Sequence, residues 1–137
     1  MLSKPKYGWT DITLGDFTGR GSYLTDIPID LLNAFINALR DFIPASVFFN
    51  EEGSEFTLVS HYDGTYIIVE REDKPELISV DIRFIELIKE VINDIESDIK
   101  GWADWMCYCD LTVEELAERE NLLKIKIEEL KNLLEKE

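Results

Sequence analysis

The sequence predicts an α+β domain, an antiparallel sheet of about six strands in the order ββαββββαα with helices packed on it and an amphipathic helix at the C-terminal end. Three observations carry the prediction. Between residues 46 and 81 hydrophobicity alternates with period two, and turn signals interrupt it at Glu52-Gly53, Asp63-Gly64 and Asp73-Lys74-Pro75. In three other stretches apolar residues return at three- and four-residue steps, the period of a helix with one buried side. A chain of 137 residues, 45% hydrophobic, is the size of one domain with one core, so residues 1–137 read as a single unit.

The first two strands are residues 9–14 and 17–24, closed by Gly15-Asp16, a two-residue loop with glycine first. In the second of them Phe17, Gly19, Gly21 and Tyr23 share a face, leaving a dent between two aromatics. The run Gly19-Arg20-Gly21-Ser22 lacks the Walker spacing and its lysine, and also lacks a GxGxxG between strand and helix, so close packing against the glycines is the better reading than a phosphate loop. Next, Thr25 or Asp26 is placed to cap a helix that has Pro28 in its first turn and Pro44 beyond its end. Leu32, Phe35, Ile36, Leu39, Phe42 and Ile43 form its apolar side. Four strands follow at 46–50, 55–61, 65–71 and 76–81, joined by short turns as an antiparallel meander. Residues 65–69 are apolar on both faces, which predicts a central strand covered at least in part on both sides.

Residues 82–108 carry the longest helical pattern. Phe84, Ile88, Val91, Ile95, Ile99, Trp102 and Met106 fall along one side, with Ile85 and Ile92 on one flank and Leu87 and Trp105 on the other. That arc is broader than the usual stripe of roughly 100° and calls for two neighbours, a sheet and another helix. Beside it runs a ladder of four acids, Glu86, Glu90, Asp94 and Asp98, at four-residue steps with no basic residue among them. After a break at 110–112, Thr112 and Glu115 form a capping box. The last helix carries Val113, Leu116, Leu123, Ile127, Leu130 and Leu134 as a seam that packs either internally, on the preceding helix, or between two copies of the chain as a homodimer through residues 112–136.

Twenty-nine acidic against fourteen basic residues give a formal charge of −15, spread along the chain and not gathered in a tail. Such a surface disfavours nucleic acid and anionic membrane as partners and accelerates encounter with a basic protein, although it also serves plain solubility. No apolar run approaches the roughly 20 residues of a membrane span, and the first ten residues are too polar for a secretory signal, so the expected location is cytoplasmic. Cys107 and Cys109, one residue apart with no second pair nearby, have no zinc-site spacing and read as reduced thiols.

Little here points to catalysis, a cofactor or a metal. His61 is the sole histidine, Ser60 and Tyr62 project to the opposite face of its strand, and neither cysteine is placed beside it by the sequence. The segment 50–55, NEEGSE, lacks the DxDxDG spacing of a calcium loop and reads as a hairpin turn with solvated charges. The ladder differs because it has a cost: each like-charge pair at i, i+4 destabilises a helix by roughly 0.2 to 0.5 kcal/mol, and three such pairs follow one another. Lys89 and Arg83 relieve part of it. A solvated face explains the row; so does a surface selected for a basic partner, which makes Glu86, Glu90, Asp94 and Asp98 the candidate partner-binding residues.

The plan of a small acidic α+β protein with an antiparallel meander and no catalytic constellation resembles immunity proteins of bacterial polymorphic-toxin systems. The stretch YGWTDITLGDFTGRGSYLTDIPIDLLNAF is similar to uncharacterised bacterial proteins of this size. The resemblance implies a non-catalytic protein that binds and blocks a basic, nuclease-type toxin, with no cofactor; it assigns a role to no individual residue. Two other functions fit the sequence: a structural or homo-oligomeric module paired through the C-terminal helix, and a small-ligand binder or enzyme using the sheet face near Gly19 and Gly21.

Overall fold

Each strand has a short reach before a turn residue stops it, and each helix begins where the period lengthens. In the computed structural model, which describes residues 1–72, 74–106 and 109–137, these become β1 (Trp9–Leu14), β2 (Phe17–Ser22), α1 (Ile27–Asp41), β3 (Ala45–Asn50), β4 (Glu55–His61), β5 (Gly64–Arg71), β6 (Lys74–Val80), α2 (Phe84–Glu96), α3 (Ile99–Ala103) and α4 (Val113–Glu135). The class is α+β and all six strands pair antiparallel, as expected. Of the three turn signals, Asp73 lies outside the described residues.

The strands form two sheets, not one. β1 and β2 make a hairpin, with Gly15 in the left-handed region that its two-residue turn requires, and β3-β4-β5-β6 make a separate four-stranded meander. The glycines explain the separation. A Cβ on Gly19 would stand 2.7 Å from the Phe56 ring, and Phe17 meets Phe56 edge-on at 4.9 Å. The hairpin therefore stacks on the meander through side chains and does not extend its ladder. The dent at Gly19 and Gly21 is filled by Phe56 and Ile27, which removes the small-ligand site expected there. The N-terminal segment returns along β1, with Ser3 N–H donating to the Asp11 carbonyl and Thr13 N–H to that of Met1, both at 2.9 Å.

One core lies between the hairpin, the inner face of the meander and the helices. Ile12, Phe35, Phe49, Phe56, Leu58, Ile67, Leu87, Trp102 and Trp105 are among its fully buried members. Asp26 does not cap α1 with its side chain; it is occupied by Arg119 of α4, whose two terminal nitrogens reach its carboxylate at 3.0 and 3.1 Å while Nε donates to the Ala103 carbonyl. One residue thus ties α4 to the start of α1 and the end of α3. The capping box of α4 forms as predicted, and Leu123, Ile127 and Leu130 of its seam are buried within this chain against α1 and α3.

The helix expected over 82–108 is two helices. α2 ends at Glu96, and Asp98, in a non-helical conformation, accepts from the Gly101 N–H at 3.2 Å to start α3. Apolar spacing continues through the break because both pieces face the same core. The signal was Ser97-Asp98 followed by Gly101, a cap within an unbroken apolar pattern. Tyr108 and Cys107 lie outside the described residues; Cys109 is an exposed free thiol.

Candidate functional site

The acidic ladder divides at the same break. Glu86 and Glu90 stand on the first turns of α2 with more than half of each side chain in solvent. Their nearest cations are loose: Arg83 at 3.9 Å from Glu86, and the Met1 ammonium at 3.6 Å from Glu90. Asp94 is engaged by the fold, pairing with the Met1 ammonium at 3.1 Å and accepting the Leu2 N–H at 2.8 Å. Its backbone carbonyl accepts from Ser97 Oγ and Trp102 Nε1. Asp98 has left the row to cap α3. Of the four candidate partner-binding residues, then, two are open and two hold the chain together.

The lysines of α4 have partners outside the ladder. Lys124 pairs with Glu120 at 3.2 Å, Lys126 donates to Asn33 at 2.7 Å, and Lys131 pairs with Glu96 at 2.8 Å. No simple periodicity could have indicated that the N-terminal segment meets Asp94, a contact spanning 92 residues of sequence.

Glu86 lines a cleft of about 600 Å³ between the β4–β5 turn and the start of α2. Its walls carry the carboxylates of Asp63, Asp81 and Glu86, the cations Arg83 and Lys89, and the rings of His61, Tyr62 and Phe84. The rings touch one another: Tyr62 meets Phe84 edge-on at 5.1 Å and stacks on Phe42 at 5.6 Å, and His61 lies 5.5 Å from Phe84. His61 Nε2 is buried without a protein hydrogen-bond partner, and no nucleophile is hydrogen-bonded to it. Phe42, 71% exposed, ends α1 in the left-handed region, where a bulky side chain is disfavoured. Sequence placed Phe42 on the apolar side of α1; the structure turns it outward.

The outer face of the meander is covered only in part, as expected for its central strand: Tyr66 and Val59 are half-buried there, whereas Ile68 is exposed. Registers Phe48↔Thr57, Thr57↔Ile68 and Ile68↔Leu77 set four residues in one line across the sheet, with Phe48, Ile68 and Leu77 all exposed. One register further, Asn50, Glu55, Glu70 and Pro75 form the next line. There Glu55 and Glu70 face each other directly. Their shared hydrogen bond, then partial desolvation and mutual repulsion, push the Glu55 carboxyl above its ordinary value of 4.5.

Among the described residues no three His, Cys, Asp or Glu side chains are grouped to hold a metal ion, and no helix is long and apolar enough to cross a membrane. No family model matches the sequence, and no curated protein or solved structure is significantly similar to it.

Proposed function

We propose that this protein is a non-catalytic, cytoplasmic inhibitor of the immunity type, which binds a basic protein such as a nuclease-type toxin through its acidic surface. The observation that carries the reading is the open half of the ladder. The fold uses Asp94 and Asp98, whereas Glu86 and Glu90 bear the cost of like charge at i, i+4 and are met only by loose cations, Arg83 at 3.9 Å and the Met1 ammonium at 3.6 Å. Glu86 also stands on a cleft whose three carboxylates outnumber its two cations, Arg83 and Lys89, over aromatic walls, a setting that suits a Lys or Arg side chain through charge and cation–π attraction. An anionic surface of this kind raises the rate of encounter with a cationic partner and makes the complex sensitive to salt.

The test is co-expression with the product of the adjacent gene. A complex is expected that dissociates as salt is raised, and Glu86→Ala with Glu90→Ala is expected to weaken it by about tenfold or more. A complex of undiminished affinity in that double variant would show that the ladder is only a solvated face.

A further inference from the structure

We infer that the outer face of the β3–β6 meander is a second docking surface, built for an amphipathic segment of another protein with apolar side chains along one side and a Lys or Arg at one end. The inference goes beyond the acidic-ladder reading, since it rests on different residues and stands or falls without Glu86 and Glu90.

The physical case begins with the line Phe48, Thr57, Ile68, Leu77. These positions alternate with the buried Val47, Phe49, Phe56, Leu58, Ile67 and Val69, so the sheet has placed apolar residues on both of its faces. An antiparallel sheet with one wet face ordinarily alternates apolar with polar residues. Here the wet face carries Leu77 at 68%, Phe48 at 40% and Ile68 at 38% exposure in direct register, with Val59 and Tyr66 half-buried in the adjoining line. Single exposed apolar residues are unremarkable, but a line of them in register across a sheet marks a contact surface. At about 4.8 Å per strand, three strand spacings make a stripe of about 14 Å, the length of roughly three turns of helix.

Charge selects the occupant. By strand alternation no Lys or Arg lies on this face in any of the four strands; Arg71 and Lys74 fall on the opposite one. The only charged residues in its lines are Glu55 and Glu70, set directly opposite each other, a like-charge pair that weakens the sheet and that a cation placed between them would relieve. They border one end of the stripe and so fix the polarity of what lies along it, apolar over Ile68 and Leu77 with a basic side chain toward Glu55 and Glu70. A second copy of the chain is a poor occupant, because each copy carries −15 and has no cation on this face to offer the glutamates.

The experiment pans a phage-displayed random peptide library against the full chain, with a Leu77→Lys variant as the counter-selection. Leu77 lies on an edge strand and is mostly in solvent, so this substitution leaves the fold intact, which circular dichroism checks. The selected peptides are expected to combine apolar residues at helical spacing with Lys or Arg. Their affinity should fall about tenfold on Leu77→Lys and again on Glu55→Gln with Glu70→Gln, and should be unchanged by Glu86→Ala with Glu90→Ala. The inference is overturned if nothing is enriched over the Leu77→Lys counter-selection, or if the peptides lack basic residues. It is equally overturned if binding is lost only with the Glu86 and Glu90 substitutions, or if the free chain forms a dimer that Leu77→Lys abolishes.

Discussion

At the scale of single residues the fold is fixed by side chains whose partners are far away in sequence. Glu51 read as a solvated charge on a hairpin turn, yet its side chain is only 9% exposed and joins three parts of the molecule. Arg71 of β5 donates to both of its oxygens, at 2.6 and 3.1 Å; Ser54 Oγ and the Arg20 N–H of β2 add two more hydrogen bonds. Burial alone would raise this carboxyl, but the hydrogen bonds from Arg71, Ser54 and Arg20 and the Arg71 charge outweigh it and hold Glu51 below its ordinary value of 4.5. A carboxyl depressed in the folded state stabilises fully above its unfolded value, and the contribution is lost as pH falls through the lower folded value. Denaturation from pH 7 downward should therefore show the parent protein losing stability below about pH 4.5, with Glu51→Gln starting lower and losing less over that window. Parallel curves for the two would show that Glu51 is as solvated as the sequence suggested. Nothing in NEEGSE distinguishes Glu51 from Glu52, because what separates them is the arrival of Arg71 from another strand.

At the scale of elements, what was legible followed from local chemistry. The Gly15-Asp16 turn, the turns at Glu52-Gly53 and Asp63-Gly64 and the Thr112–Glu115 capping box depend on residues within four positions of one another, and the elements they bound fall within a residue or two of expectation, whereas Lys74 and Pro75, expected in a turn, stand in β6. The break between α2 and α3 was hidden because core-facing periodicity continued across it. That break reassigns the ladder. Asp98→Ala should cost about 1 kcal/mol, the usual loss of a helix cap, and Asp94→Ala a similar amount for the Leu2 hydrogen bond and its ion pair. Glu86→Ala and Glu90→Ala should be neutral or stabilise slightly, by roughly 0.2 to 0.5 kcal/mol for each like-charge contact removed. Urea denaturation of the four single variants measures this directly, and four equal effects would contradict the division. A quadruple alanine variant would confuse lost capping with lost recognition.

At the scale of the whole molecule, acid excess acts on stability and on association with opposite sign. The ion pairs between Lys124 and Glu120, Lys131 and Glu96, and Arg20 and Asp11 are all partly or largely exposed, and such pairs contribute about 0 to 1 kcal/mol each. Fifteen surplus negative charges on a chain of 137 residues repel one another over a distance that salt controls, since the screening length falls from about 30 Å at 0.01 M to about 8 Å at 0.15 M. Adding salt in that range should therefore raise the melting temperature of the free protein by a few degrees, corresponding to about 1 kcal/mol. A melting temperature that falls with salt would mean that the local ion pairs outweigh the net repulsion. The same salt should loosen any complex formed through Glu86 and Glu90, while contacts made by Phe48, Ile68 and Leu77 on the open sheet face should hardly respond. Because stability and charge-driven binding move in opposite directions, a complex lost at high salt cannot be attributed to unfolding of this chain. A complex that weakens only by the share Glu55 and Glu70 carry, and otherwise persists there, points to the sheet face and away from the ladder.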